Sequence, residues 1–351
     1  MWSEIAVGYG VFILEVLTIL LVIAGIVAMI FAMKQQKHKL QGELVITDLS
    51  DEYKENTQKL RDFHLSDDAL KDIEKAEKKA NKEKLKREKE KRKKGEKVDE
   101  RQPHLYVLNF KGDIAASETN GLREEISAII GVAKPEDEVL LRLESPGGVV
   151  HGYGLAASQL ARLKSHGIKL TVAVDKVAAS GGYMMACVAD RIVAAPFAIL
   201  GSVGVVAQIP NIHRLLKKHD VDVEVMTAGE YKRTMTVLGE NTEKGKQKFQ
   251  QELEETHGLF KQFVEQHRPQ VDINEVATGE HWFGQQALSL RLIDDICTSD
   301  DLILAAMKDK KVLSVKYQIK KSLIQKIGKQ AEESADGVLL RWLRRNNHQL
   351  L

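Results

Sequence analysis

The chain has 351 residues, 43% of them hydrophobic and 29% charged, with a formal net charge of +2. That composition fits an ordinary globular protein with an additional element, and the near-balanced net charge hides a very uneven distribution. Cys187 and Cys297 are the two cysteines, and neither stands in a CxxC or Cys/His spacing, which argues against a disulfide framework and a zinc site; both are expected to be small core residues.

Residues 5–33 are apolar apart from Glu15, and 16–33 carries no charge at all, long enough to cross a hydrocarbon core as a helix. The four residues ahead of it hold no lysine or arginine, and the run exceeds the apolar region of a secretory leader. The sequence therefore predicts an uncleaved membrane anchor rather than a cleaved signal peptide. Lys34, Lys37 and Lys39 follow, which by the positive-inside rule favours the cytoplasm for the rest of the chain.

Residues 34–102 form a charged spacer. Within it, 71–101 holds fifteen basic and nine acidic residues with almost nothing apolar to bury, so a solvated helix or a disordered linker is predicted. Its lysines could meet anionic lipid. Nucleic acid is not an expected partner, because acidic residues are interleaved and no aromatic accompanies the basic ones.

After Pro103 a regular alternation begins. Strands are predicted at 105–110, 139–143 and 170–174, with amphipathic helices at 121–133 and 154–163 between them, a rhythm that builds a parallel sheet with crossover helices. The uncharged run 192–209 is broken by Pro196, Gly201, Ser202, Gly204 and Gln208, and reads as a buried strand with a glycine-rich loop rather than a second membrane span. A strand is predicted at 221–226, then a long polar helix at 242–267. The α/β domain is expected to span 103–310, and 311–351 is predicted as an amphipathic tail that covers a partner or membrane surface, or caps the domain.

The stretch around Ser180 organises the domain. A strand feeds into Ala178-Ala179-Ser180-Gly181-Gly182, and an alanine- and methionine-rich helix follows. A serine at such a turn can expose its hydroxyl beside converging N–H groups, as a nucleophile with an oxyanion hole requires. The alternative is that Ser180 only N-caps the helix. Ser145-Pro146-Gly147-Gly148 and Gly201-Ser202-Val203-Gly204 close neighbouring strands, so all three loops should gather at one edge of the sheet. Gly229-Glu230-Tyr231-Lys232-Arg233 follows the next predicted strand. Lys232 could serve as base if burial disfavours its charged form; otherwise it is a surface lysine. His151 is the histidine nearest a glycine-rich loop, but nothing points to a Ser-His-Asp triad. There is no HExxH, no Walker A loop, no GxGxxG between strand and helix and no GxSxG elbow, and no cofactor is expected.

These four motifs, in this order behind one N-terminal apolar helix, resemble the SppA-type signal peptide peptidases over residues 105–296. The resemblance implies a serine endopeptidase with a Ser/Lys dyad on the crotonase-like α/β fold shared with the caseinolytic proteases, held in a bacterial inner membrane. It implies Ser180 as nucleophile, Lys232 as general base, Gly148 and Gly181 as oxyanion-hole donors, and Ser202 as the residue that orients the lysine. It further implies a homo-oligomer, with the dyad able to form across a protomer boundary, and peptides, unfolded proteins or signal-peptide remnants as substrates. Small residues around Ser180 suggest a groove for small or apolar side chains. Two departures stand out. Glu280-His281 replaces a usual Arg-Val pair, and Arg291 stands where a glycine normally precedes Leu-Ile-Asp; both are expected to lie away from the dyad motifs. The competing expectations are a crotonase-type acyl-CoA enzyme and a catalytically silent membrane scaffold.

Overall fold

A computed structural model describes residues 42–64 and 101–319, together with residues 14, 16–18, 20–21, 79 and 82–83. The chain divides into two compact units, one of residues 44–316 and one of 1–43 with 317–351. In the smaller unit the Gly42 N–H donates to the Tyr317 hydroxyl at 3.0 Å. The expected membrane span at 5–33 lies almost wholly outside the described residues, as do most of the charged spacer and the tail from 320 onward. Among the described residues no helix is long and apolar enough to cross a membrane.

In chain order the elements are β1 (Gly42–Asp48), α1 (Leu49–Phe63), β2 (His104–Lys111), α2 (Thr119–Val132), β3 (Glu138–Glu144), α3 (Val150–Ser165), β4 (Lys169–Val174), β5 (Val177–Ala179) and α4 (Gly181–Ala186). They continue with β6 (Arg191–Ala194), β7 (Ile199–Gly201), α5 (His213–Lys218), α6 (Glu243–His267), α7 (Ile273–Val276), β8 (His281–Phe283), α8 (Gly284–Ser289), β9 (Asp295–Ile296), α9 (Ser299–Ala306) and β10 (Lys311–Ile319). The result is a mixed α/β fold. A seven-stranded sheet has the order β1-β10-β2-β3-β4-β6-β9, with parallel pairing from β10 through to β9. A three-stranded sheet, β5-β7-β8, stands beside it, β5 and β7 parallel and β8 antiparallel to β7.

The strands are near-continuous apolar runs because both faces of the large sheet are covered, as in parallel sheets generally. Leu108, Phe110, Leu141, Leu143, Leu170 and Val172 point into the main core beneath α2, α3 and α4. Leu105, Val107, Leu140, Ala173 and Val193 alternate onto the other face, where Leu49 and Tyr53 of α1 and Leu302 and Ala306 of α9 pack against them.

Two boundaries and one predicted strand differ from expectation. The start of the spacer is part of the domain: α1 packs on the sheet, Ser50 Oγ accepts from the Val312 N–H at 2.9 Å, and Asp48 pairs with Lys311 at 2.7 Å. At the other end β10, expected to belong to the tail, pairs with β2 inside the sheet. A strand also needs a neighbour to receive its hydrogen bonds. Among the described residues the predicted strand at 221–226 has none, and Val221 and Val225 alternate into solvent.

Candidate active site

Ser180 sits where β5 meets α4, as the sequence predicts, but it does not cap the helix. It occupies the N-cap position with φ 53° and ψ −120°, and its side chain makes no capping hydrogen bond. A positive φ at a non-glycine residue is strained and is characteristic of functional turns. The strain is held by the surrounding backbone. The Ser180 N–H donates to the Gly201 carbonyl at 2.8 Å, and the Met184 N–H donates to the Ser180 carbonyl at 3.0 Å. Ser180 is partly exposed, and its hydroxyl is not committed to a helix cap. Because α4 is only six residues long, it contributes its first N–H groups here rather than a sizeable dipole.

The Ser-Pro-Gly-Gly turn closes onto this serine. Ser145 extends β3 into a parallel bridge with Ala178; its N–H donates to Val177 and its carbonyl accepts from Ala179, at 2.8 and 3.0 Å. Gly147 follows with φ 91°, and a Cβ there would fall 2.7 Å from the Ser180 Cβ and 2.8 Å from the Gly181 nitrogen. Only glycine allows so close an approach. Gly148 comes next and is exposed, whereas Gly181 is buried. Among the backbone hydrogen bonds of the turns and caps, none uses the N–H of Gly148 or of Gly181. The N–H groups of Gly148 and Gly181, the donors expected for an oxyanion hole, are therefore unspent among these bonds. Tyr153, on the first turn of α3, was not singled out from the sequence. It is fully buried, its ring lies against Gly181, and burial raises its phenol above the ordinary pKa, so it remains a proton donor.

The third loop meets the other two. Ser202 also has a positive φ, 51°, and its N–H donates to the Glu280 carbonyl at 2.7 Å. His257 Nε2 of α6 lies 3.2 Å from the Val203 carbonyl in the same loop. Here one expectation is corrected. The pair Glu280-His281 lies beside a motif loop, because β8 pairs with β7 and sets His281 opposite Gly201.

Lys232 is not brought to Ser180 by a hydrogen bond. It is exposed in the irregular stretch between α5 and α6, and among the described residues its amine makes no hydrogen bond or ion pair. Its neighbours are anchored: Glu230 pairs with Lys244 at 2.5 Å, and the ammonium groups of Lys244 and Lys248 lie 5.8 and 5.6 Å from the centre of the Tyr231 ring. From 204 to 238 no residue is buried. Apolar side chains stand in solvent along this arm, Val206 at 91% exposure, Met226 at 86% and Leu215 at 56%.

Cys187 is buried at the end of α4, and burial pushes its thiol up to about 12, so no thiolate forms near neutrality. His151 is exposed at the start of α3, and no histidine among the described residues is hydrogen-bonded to Ser180. Among the described residues no group of three or more His, Cys, Asp or Glu side chains is arranged to hold a metal ion.

The N-terminal model of peptidase family S49 matches residues 4–160, and the peptidase family S49 model matches residues 162–313. The Probable protease SohB of Haemophilus influenzae is 68% identical over 343 residues, 97% of this chain and 97% of its own. Its namesake in Buchnera aphidicola subsp. Schlechtendalia chinensis is 50% identical over 303 residues, 86% of this chain and 99% of its own. Two solved structures of the 1510-N membrane-bound stomatin-specific protease, one with a substrate peptide, are 14% identical with TM-scores of 0.39 and 0.42. They cover 58% and 64% of this chain and 84% and 98% of theirs. Identity and coverage at the level of the sequence relatives show that the chain belongs to peptidase family S49, as a serine protease.

Proposed function

We propose that the chain is a membrane-anchored endopeptidase that cleaves peptides or unfolded proteins, signal-peptide remnants among them, by a Ser/Lys dyad. The observation that carries this reading is the strained, uncapped Ser180, with the N–H groups of Gly148 and Gly181 in the adjoining turns left unspent. In the first step Lys232, as the neutral amine, takes the Ser180 proton while Oγ bonds to the scissile carbonyl carbon. The N–H groups of Gly148 and Gly181 hold the oxygen as it gains charge, an interaction worth about 3 kcal/mol per donor in such sites. The C–N bond then breaks, the lysine returns the proton to the leaving amine, and water hydrolyses the acyl-enzyme by the same route.

The exposed Lys232 and the unburied arm around it support a dyad completed between copies of the chain, the base of one protomer serving the serine of its neighbour. Ser202, held with positive φ beside Ser180, is the residue suited to orient the incoming amine. The apolar run at 5–33 supports a bacterial inner-membrane anchor. The test is hydrolysis of casein and of unstructured peptides by the detergent-solubilised full chain. Ser180→Ala and Lys232→Ala should each lower turnover by on the order of 10,000-fold or more while melting like the parent. A Lys232→Ala protein that keeps its activity would show that another base serves Ser180.

A further inference from the structure

The oxyanion donor at Gly148 sits in a turn of two consecutive glycines, a backbone with little intrinsic rigidity, yet a catalytic donor has to be aimed to within a few tenths of an ångström. The turn is held at both sides of Gly148 by a single loop, 113–114. On one side the Val149 N–H donates to the Ile114 carbonyl at 2.8 Å. On the other the Gly147 N–H donates to Ser145 Oγ at 3.1 Å, Ser145 Oγ lies 2.6 Å from the Tyr153 hydroxyl, and that hydroxyl donates to the Asp113 carbonyl at 2.8 Å. The proton directions in this chain follow from its ends. A carbonyl only accepts, so the Tyr153 hydrogen is committed to Asp113, and the Ser145 hydroxyl must give its own hydrogen to Tyr153. Ser145 and Tyr153 have no exposed surface, so no water can substitute for either link.

The same two side chains reach the second donor and the nucleophile strand. The Tyr153 ring fills the space where a Gly181 Cβ would stand, 2.4 Å from its Cγ, and the Ser145 backbone is bonded to β5 just ahead of Ser180. We propose that Ser145 and Tyr153 are positioning residues of the oxyanion hole: their buried one-way hydrogen-bond chain, running from Gly147 to the Asp113 carbonyl, fixes the Gly148 N–H in register with that of Gly181. This rests on the assignment of Ser180 as nucleophile and of the two glycines as donors.

The effect belongs to the transition state, because substrate binding needs no oxyanion donor while the tetrahedral species does. Steady-state kinetics are to be measured for the full-length detergent-solubilised wild type, Ser145→Ala and Tyr153→Phe. Alongside them runs the inhibition by a peptide aldehyde, which forms a tetrahedral adduct on Ser180, against the matching peptide alcohol, which does not. For each variant we expect kcat to fall roughly 10- to 100-fold with KM within about twofold, and the aldehyde-to-alcohol affinity ratio to fall in parallel. Variants that melt like the parent and keep kcat, or that lose aldehyde and alcohol affinity equally, overturn the inference. If Ser145→Ala does not fold, Tyr153→Phe decides, since its ring stays against Gly181. Aldehyde inhibition that survives Ser180→Ala overturns the nucleophile assignment itself. Inhibition lost with Ser180→Ala but untouched by Tyr153→Phe overturns the positioning role alone.

Discussion

Among the described residues five non-glycine residues hold a positive φ: Ala116, Ser180, Ser202, Asp220 and Arg291. Two of them are the serines singled out from sequence motifs, and backbone strain of this kind is often held at functional turns. Arg291 is different. Its φ of 61° occurs at the position where the SppA-type pattern has glycine, so the backbone keeps the glycine conformation and the arginine bears the strain. What the surroundings use there is its carbonyl, which accepts from Arg268 at 3.2 Å. Arg291→Gly should therefore raise stability by about 1 kcal/mol, read as a higher midpoint in urea, with activity unchanged. A lower midpoint would mean that the arginine side chain contributes more than the strain removes. The turn that holds Ser180 between strand and helix was legible at this scale because small residues around one serine leave a local signature. Tyr153 was not, because its partner carbonyl lies 40 positions away in a loop whose place is set only by the folded sheet.

At the scale of elements, strands buried on both faces announce themselves as apolar runs, and β2, β3 and β4 each lie within a residue of expectation. The stretch 221–226 has the same alternation without a partner strand, and periodicity alone cannot tell the two apart. Long-range staples are equally invisible. Arg268, just after α6, is 3% exposed and grips Asp294 with two nitrogens at 3.0 and 2.8 Å, while Asp294 also accepts from the Ile192 N–H at 2.7 Å, tying helix end to β6. Burial alone would raise the Asp294 carboxyl, but the Arg268 guanidinium and the backbone N–H outweigh it and hold it below the usual range. A depressed carboxylate contributes stability that is complete above its unfolded value near pH 4 and is lost as pH falls through the lower folded value. Asp294→Asn leaves Arg268 buried without its counter-charge and should cost about 3 kcal/mol at neutral pH. Because the variant has no carboxylate to protonate, its deficit should shrink between pH 4 and pH 2 in thermal melts. A deficit that stays constant with pH would assign the loss to packing instead.

For the molecule as a whole, charge and apolarity suggested cuts near 103 and 310, but the fold recruits chain from both sides, β1 and α1 before and β10 after, because covering both faces of a parallel sheet demands it. The arm 204–238 presents the opposite case, a segment within the domain that buries none of its residues against it. Apolar side chains left in water over so long a stretch are the kind of surface another protein covers, and the arm carries Lys232, the base proposed for Ser180. If that protein is a second copy, each active site draws its serine and its lysine from different chains. Ser180→Ala protomers retain a working lysine and Lys232→Ala protomers a working serine. Co-expressed in equal amounts, the two inactive variants should recover roughly a quarter of the wild-type turnover per site, since random assembly pairs an intact serine with an intact neighbouring lysine about that often. Differently tagged subunits that co-purify yet show no activity would place both residues of the dyad within one chain, and would require the arm to fold back onto its own Ser180 when substrate binds.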